Sequence, residues 1–290
     1  MARPSSGSGV AREGKGKGDG TLFIVATPIG NLGDMTLRAI ETLRDADLVL
    51  AEDTRKTRVL LDHFGIKTRV IASHAHNEAR TIPAVLDELR KKRSVAIVTD
   101  AGTPLISDPG SRLVQAVRAA GLRVSPVPGA SALTAALSAA GLDTTRFTFF
   151  GFLPRTGRER REAIELIGTL PHTVVLYEAP PRVSQTLGEI AASGSGDRRC
   201  VVARELTKLF EEFRDGTVEE LSAYYADSAP RGEVVILLAA ATPKSFNEEE
   251  LQSRVKALRE GGLSARDAAA RVASETGVPR NMVYRLAVKA

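Results

Sequence analysis

The sequence predicts an α/β protein of two units, one built on a parallel-rich sheet and one on a mixed sheet, followed by a basic helical appendage. Three observations carry this. From Thr21 to Gly141 short apolar runs alternate with single helical stretches, the pattern of parallel strands joined by right-handed crossovers. Beyond Gly141 the strands expected at 200–204 and 210–214 lie only five residues apart, too close for a crossover helix and suited to a hairpin. Residues 251–290 hold eight lysines and arginines against three acids. The expected units are a disordered tail at 1–19, a first α/β unit at 20–131, a second with a mixed sheet at 132–241, and a helical region at 242–290.

Each element follows in order. Residues 1–19 are mostly Gly, Ser, Lys and Arg and cannot build a core. Gly9 to Lys15 nearly spells a P-loop, but no Ser or Thr follows Lys15 and no strand precedes it. A strand at 22–26 leads through a Thr27-Pro28-Ile29-Gly30 loop to a helix at 36–45. A strand at 48–51, a helix at 54–64 ended by Gly65, a strand at 68–72 and a helix at 78–92 come next. The strand at 94–98 then runs into Thr99-Asp100-Ala101-Gly102-Thr103-Pro104-Leu105-Ile106-Ser107-Asp108-Pro109-Gly110. Asp108-Pro109 reads as an N-cap with proline in the first turn of a helix to 120. A strand at 122–127 and a helix at 131–140 complete the alternation. Strands at 147–151, 173–178, 200–204, 210–214 and 233–239 make the mixed sheet. After a short linker, helices are expected at 249–260, 264–276 and 280–289.

Composition narrows the function. No apolar run reaches the roughly 20 residues of a membrane helix, and no export signal is visible at the N-terminus. The single cysteine, Cys200, reads as a small buried hydrophobe and suits a reducing cytoplasm. The net charge of +5 sits at the ends, with +5 in residues 251–290, +2 in 1–19 and −2 in the body. That points to a phosphate-rich partner met by the appendage. Its last two predicted helices have the size of a helix-turn-helix, with Arg280, Arg285 and Lys289 placed for nucleic acid. A dimerisation hairpin with solvated charges is the alternative.

The chemistry lies in five loops that open on one carboxyl edge of the first sheet, where open α/β sheets hold ligands. They begin near Thr27, Glu52, Ser73, Thr99 and Pro128. His74, His76 and Glu78 mimic a metal-ligand spacing, but no Cys or Asp cluster completes a tetrahedral set, so no metal is expected. Glu52-Asp53 beside Arg55-Lys56 reads as an acid-base pair or phosphate clamp, with Asp53 as a plain helix N-cap the competing reading. No Gly-x-Ser-x-Gly elbow is present. Asp100 and Gly102 suit a cationic ligand, the carboxylate facing its charge and the glycine letting the backbone approach. S-adenosylmethionine, a zwitterion with a sulfonium, has those needs.

Several stretches now form a set: Thr27 to Asp34, Ala51-Glu52-Asp53-Thr54-Arg55, His76-Asn77-Glu78, Thr99 to Gly110, Pro128-Gly129-Ala130-Ser131-Ala132, Gly151-Phe152-Leu153-Pro154-Arg155, Tyr177-Glu178, Arg204-Glu205-Leu206-Thr207-Lys208 and Arg231-Gly232-Glu233. In this order they resemble the bacterial small-subunit ribosomal RNA ribose 2'-O-methyltransferase family, type I, a branch of the tetrapyrrole methylases. The resemblance implies a two-domain tetrapyrrole-methylase-like fold, a homodimer, S-adenosylmethionine between the domains, and methylation of a decoding-centre cytidine, cytidine 1402, in 16S rRNA. It implies cofactor contacts at Pro28, Asp100, Gly102, Thr103, Ile106, Ser131, Ala132, Leu153, Tyr177, Gly232 and Glu233. Asp100-Ala101-Gly102 stands where relatives acting on tetrapyrroles have Gly-Asp-Pro. A ribose hydroxyl is a weak nucleophile, so a base or stabilising cation is expected among Glu52, Asp53, His76, Glu78 and Lys208, with Arg55 and Arg204 steering phosphate. The rival readings are a small-molecule tetrapyrrole methylase and a DNA-binding regulator.

Overall fold

The computed structural model describes residues 20–241 and 247–289, so the expected 1–19 tail, its P-loop-like stretch and most of the linker lie outside the described residues. The first sheet contains β1 (Thr21–Val25), β2 (Leu48–Ala51), β3 (Val70–Ala72), β4 (Val95–Val98) and β5 (Arg123–Val127). All pair in parallel, in the order β3-β2-β4-β1-β5. Between them run α1 (Leu37–Asp45), α2 (Thr54–His63), α3 (Glu78–Arg90) and α4 (Ser111–Ala119). Alternate residues face opposite layers. Val49, Ala51, Ala96 and Val98 pack with Ala39 and Leu43 of α1 and Leu61 of α2, while Leu48, Leu50, Val95 and Ile97 pack with Val85 and Leu89 of α3 and Leu113 and Val117 of α4. Both faces are covered, which is why β2 and β4 contain no polar residue.

The register decides what meets at the sheet edge. Ile24 pairs with Ile97 and Ala51 with Val98, so the loops after β1, β2 and β4 start side by side. Thr27 and Gly102 then exchange two backbone hydrogen bonds, at 2.9 and 3.1 Å, across the gap between the β1 and β4 loops.

The second sheet contains β6 (Phe147–Phe152), β7 (Thr173–Glu178), β8 (Arg199–Arg204), β9 (Glu212–Thr217) and β10 (Val234–Leu238), in the order β6-β7-β10-β8-β9. Only β6 and β7 are parallel. One face packs Val174, Leu176, Cys200, Val202 and Ile236 against α6 (Arg158–Thr169), α7 (Val183–Ile190) and α8 (Val218–Asp227). The other packs Val175, Val201, Ala203, Val235 and Leu237 against α5 (Ala132–Ala139) together with Ile29, Ala101 and Ala130 of the first sheet's loops. That shared core holds the two sheets together beside the cleft.

The mixed sheet is as expected, but three local expectations change. The strand predicted at 210–214 is β9 at Glu212–Thr217, because the register pairs Arg204 with Glu212 and leaves Phe210 exposed in the turn. The helix expected to be capped by Asp108, with Pro109 in its first turn, begins at Ser111, with Gly110 as its N-cap and no side-chain cap. Gly110 has φ 121°, and a Cβ there would stand 2.9 Å from Ile97 Cδ1. Three helices, α6, α7 and α8, occupy stretches between the expected strands for which no element was expected. Two of them start without a side-chain cap, and only α8 announces itself, through the capping box of Thr217 and Glu220.

The appendage is α9 (Glu248–Glu260), α10 (Ala265–Thr276) and α11 (Arg280–Lys289), started by Asn247 and Ser264 caps and turned at Gly277. Leu251, Val255, Ala268, Val272, Val283 and Leu286 give it a core of its own. Among the described residues no helix is long and apolar enough to cross a membrane.

Candidate functional site

The carboxyl edge of the first sheet and the β7 and β10 end of the second enclose a cleft of about 470 Å³, a size common for small-molecule sites. On the first side the loops after β1, β4 and β5 are tied together, since Thr103 Oγ1 donates to Ala130 O at 3.1 Å and Thr27 bridges to Gly102. The β4 loop is strained. Leu105 (φ 73°) and Ser107 (φ 68°) occupy the left-handed region, a cost of order 1–3 kcal/mol each that folds accept mostly at functional sites.

On the second side Tyr177 anchors the wall. Its ring stands edge-on to Phe149 and Phe152, with centroids 4.8 and 5.6 Å away, and its hydroxyl accepts from Leu133 N at 3.1 Å. Burial pushes the phenol above its ordinary pKa. Glu178, next along β7, is buried and accepts from Ala179 N at 2.9 Å and Thr186 Oγ1 at 2.7 Å, with Arg182 Nε 3.4 Å away. Before β10, Glu205 accepts from Glu233 N at 3.1 Å and from Lys208 Nζ at 2.8 Å. Gly232 has φ 85° and allows this approach, since a Cβ there would stand 1.9 Å from Glu205 Oε1.

The cleft carries an excess of negative charge. Among the described residues Glu52, Asp100, Asp108, Glu178 and Glu233 line it, with Lys56 the one lining cation. Lys56 Nζ stands 2.7 Å from Asp100 Oδ2, and that hydrogen bond raises its pKa. Asp100 Oδ1 also accepts from Asp53 N at 3.2 Å. Glu52 accepts from the Thr99 hydroxyl at 3.2 Å. Asp108 is half-buried without a cation, and burial pushes its carboxyl up to about 6, a hydrogen bond to Thr99 opposing and the charges of Glu52 and Asp100 adding.

Of the residues expected to contact cofactor, Asp100, Gly102, Thr103, Ile106, Ser131, Ala132, Tyr177, Gly232 and Glu233 line the cleft, as does Glu52. Pro28 and Leu153 do not. Ile29 takes the lining place beside Pro28, and the Leu153 side chain belongs to the core under α6 and α7 while Phe152 faces the cleft.

The other acid-base candidates are dispersed. Asp53 caps α2 through Arg55 N at 2.9 Å and holds the Arg55 guanidinium at 2.8 Å, which keeps its carboxyl well below the usual range. Glu78 is buried away from the cleft and accepts from Leu113 N at 2.9 Å, joining α3 to the first turn of α4. His76 is exposed, its ring 6.0 Å from that of His74. Among the described residues no three His, Cys, Asp or Glu side chains gather as a metal-binding group. Lys208 does not line the cleft. Burial alone would lower its amine, but the hydrogen bond to Glu205 and the charge of Glu233 hold it above the ordinary value. Of the phosphate candidates, Arg204 Nε is 2.6 Å from Glu212, Arg280 and Arg285 are exposed on α11, and Lys289 closes that helix.

Asp108, Lys56, Glu178 and Phe152 line the cleft and were missing from the expected cofactor contacts, Lys56 having been named only beside Arg55 as part of a phosphate clamp. Glu178 carried a usable signal, an acid at the carboxyl end of an apolar strand. Asp108 was hidden by its proline, which made it look like a cap.

S-adenosylmethionine fits what lines this space. Ile29, Ile106, Ala132, Leu206 and Val235 offer apolar surface, Tyr177 and Phe152 aromatic edges, and the carboxylates face a cation. Residues 21–222 match the family described as Tetrapyrrole (Corrin/Porphyrin) Methylases, and residues 247–290 match the RsmI C-terminal HTH domain. A protein of Synechocystis sp. named ribosomal RNA small subunit methyltransferase I is 45% identical over 273 residues, 93% of this chain and 98% of that one. Proteins of the same name from Xylella fastidiosa (strain Temecula1) and Escherichia coli O157:H7 are 47% and 43% identical, covering 91% and 93% of this chain and 98% and 95% of theirs. The fold is similar to that of a cobalt precorrin-4 methyltransferase, with TM-score 0.61 and 21% identity over 80% of this chain and 98% of that one. It is also similar to a uroporphyrin-III C-methyltransferase of Thermus thermophilus complexed with S-adenosylhomocysteine, with TM-score 0.58 and 19% identity over 76% and 97%.

Proposed function

Because this chain belongs to the tetrapyrrole methylases, in the ribosomal RNA small subunit methyltransferase I family, we propose that it methylates the 2'-hydroxyl of a decoding-centre cytidine, cytidine 1402, in 16S rRNA using S-adenosylmethionine. The observation that carries the reading is the cleft itself, acidic on its lining and closed by both sheets, joined to a folded basic appendage. We infer equally that it works in the cytoplasm as a homodimer on the small ribosomal subunit.

Bound in the cleft, the cofactor supplies a methyl group made electrophilic by its sulfonium. Asp100 and Glu233 would hold that positive charge, Gly102 and Thr103 would offer close backbone approach, and Tyr177 with Ala132 and Val235 would exclude water. Methyl transfer is an in-line displacement, so the chain contributes chiefly by fixing cofactor and ribose in line. The ties among the β1, β4 and β5 loops keep that wall rigid. Arg280 and Arg285 offer phosphate contacts without moving a partner carboxylate, whereas Arg55 and Arg204 must first exchange Asp53 and Glu212.

Tritiated methyl transfer tests the reading. With 30S subunits lacking the modification, label should enter 16S rRNA at one cytidine and block alkaline cleavage on its 3' side. Label in tetrapyrrole precursors or DNA and none in RNA would falsify it.

A further inference from the structure

Phe152 is aimed at the cleft by a local distortion of β6. Phe149 pairs with Val175 and Gly151 with Leu176, so Phe150 is an extra residue, a β-bulge. Strict alternation would send Phe152 to the side of Phe150, which packs on the core under α6 and α7. The bulge reverses the faces, so Leu153 enters that core and Phe152 turns to the cleft beside Tyr177. Gly151 makes the turn at φ 62°, and a Cβ there would stand 2.5 Å from the Oγ of Ser107, itself left-handed at φ 68°. Strained backbone from both walls of the cleft thus meets next to Phe152. The ring placed in this way is 56% exposed, and among the described residues no aromatic ring lies flat on it, since Tyr177 meets it at 61°. Of the large exposed apolar side chains among the described residues, only Phe152 and Ile106, the neighbour of Ser107, line the cleft.

We propose that Phe152 is the stacking platform for the base of the target cytidine, which enters the cleft unpaired with its ribose leading toward the cofactor. This rests on the reading of the substrate as RNA. An aromatic face at an open edge is what unpaired bases stack on in RNA recognition. The charge of the cleft sets the direction of entry. Five carboxylates line it, and Lys56, the one lining cation among the described residues, is held by Asp100, so the interior repels phosphate. Base and ribose go in while the backbone phosphates stay at the rim, where Arg155 is exposed three residues beyond Phe152. Stacking at the rim fixes the plane of the base, and through the glycosidic bond it limits where the 2'-hydroxyl points, which serves the in-line alignment that methyl transfer needs. Phe152 binds and orients the nucleoside and takes no part in proton transfer.

The test compares wild type with Phe152→Ala, Phe152→Leu, Phe152→Tyr and Phe152→Trp. Methyl transfer to 30S subunits lacking the modification gives kcat/KM, and calorimetry with S-adenosylhomocysteine gives cofactor affinity. Phe152→Ala should lower kcat/KM by about 5- to 100-fold and leave cofactor Kd within about threefold. Phe152→Tyr and Phe152→Trp should stay within about threefold of wild type, whereas Phe152→Leu, which fills space without a π-face, should stay near Phe152→Ala. The chain contains no tryptophan, so Phe152→Trp also installs a single fluorescent reporter. A short single-stranded RNA carrying the cytidine in its 16S rRNA context should quench that indole, and the same RNA with an abasic site in its place should not. A Phe152→Ala kcat/KM within about twofold of wild type, a Phe152→Leu as active as Phe152→Tyr, equal response of the indole to the two RNAs, or a loss confined to cofactor Kd overturns the proposal alone. Wild type that leaves RNA unlabelled overturns the substrate reading and this proposal with it.

Discussion

At the scale of single residues, acids of similar appearance in the sequence differ in what their hydrogen bonds cost the fold. Asp108 is held above its ordinary pKa of 3.8, at about 6, so the folded state disfavours its ionised form. Above about pH 6 the folded protein bears the whole penalty, and below the unfolded value both states are protonated and none remains. Asp108→Asn should therefore stabilise the protein by about 1–2 kcal/mol near pH 7.5, after discounting for partial exposure, with the gain fading toward pH 4. Thermal melts at the two pH values check this. Glu78 works in the opposite sense. Its carboxylate satisfies a buried amide, so Glu78→Ala should cost about 1–3 kcal/mol in urea unfolding while kcat of the folded fraction stays near wild type. A drop in kcat without loss of stability would restore the catalytic role first expected of Glu78.

Among the elements, those with local signatures were legible and those fixed by distant partners were not. The first sheet could be read strand by strand, because β2 and β4 are apolar on both faces and single helices separate them. The convergence of loops at one edge followed from that order. The second unit's strands were plain apart from β9, but α6 begins at a glycine without a cap and its three buried residues, Arg160, Ile164 and Ile167, include a charge. Glu78 could not be told from a catalytic acid because its partner Leu113 lies 35 positions away. Asp108 was misread because two left-handed residues, Leu105 and Ser107, delay the helix to Ser111. The Gly232 loop depends on close contact in the same way. Gly232→Ala meets both the positive φ and the Glu205 carboxylate, so it should cost about 1–3 kcal/mol and weaken S-adenosylhomocysteine binding by about tenfold by calorimetric titration, through displacement of Glu205 from Glu233 N.

For the whole molecule, the proposed function divides recognition from chemistry between the appendage and the body. The appendage has its own core, and its exposed Arg280 and Arg285 sit on the last helix. Replacing both with glutamine should lower RNA affinity and flatten the salt dependence of binding by about one to two counterions, read by fluorescence anisotropy across a salt series, with kcat at saturating RNA unchanged. An unaltered slope would assign those arginines to another surface.

The place of β10 bears on how the protein is made. This strand is the last of the second sheet in sequence yet lies between β7 and β8, and the residues just before it help line the cleft. During synthesis the first sheet is complete once Val127 has left the ribosome, whereas β7 and β8 wait with open edges until Leu238 emerges. The half-made chain thus spends that interval with two apolar strands each open along one edge. A chain cut short before Val234 would lack the strand that joins them and would be a ready substrate for chaperones.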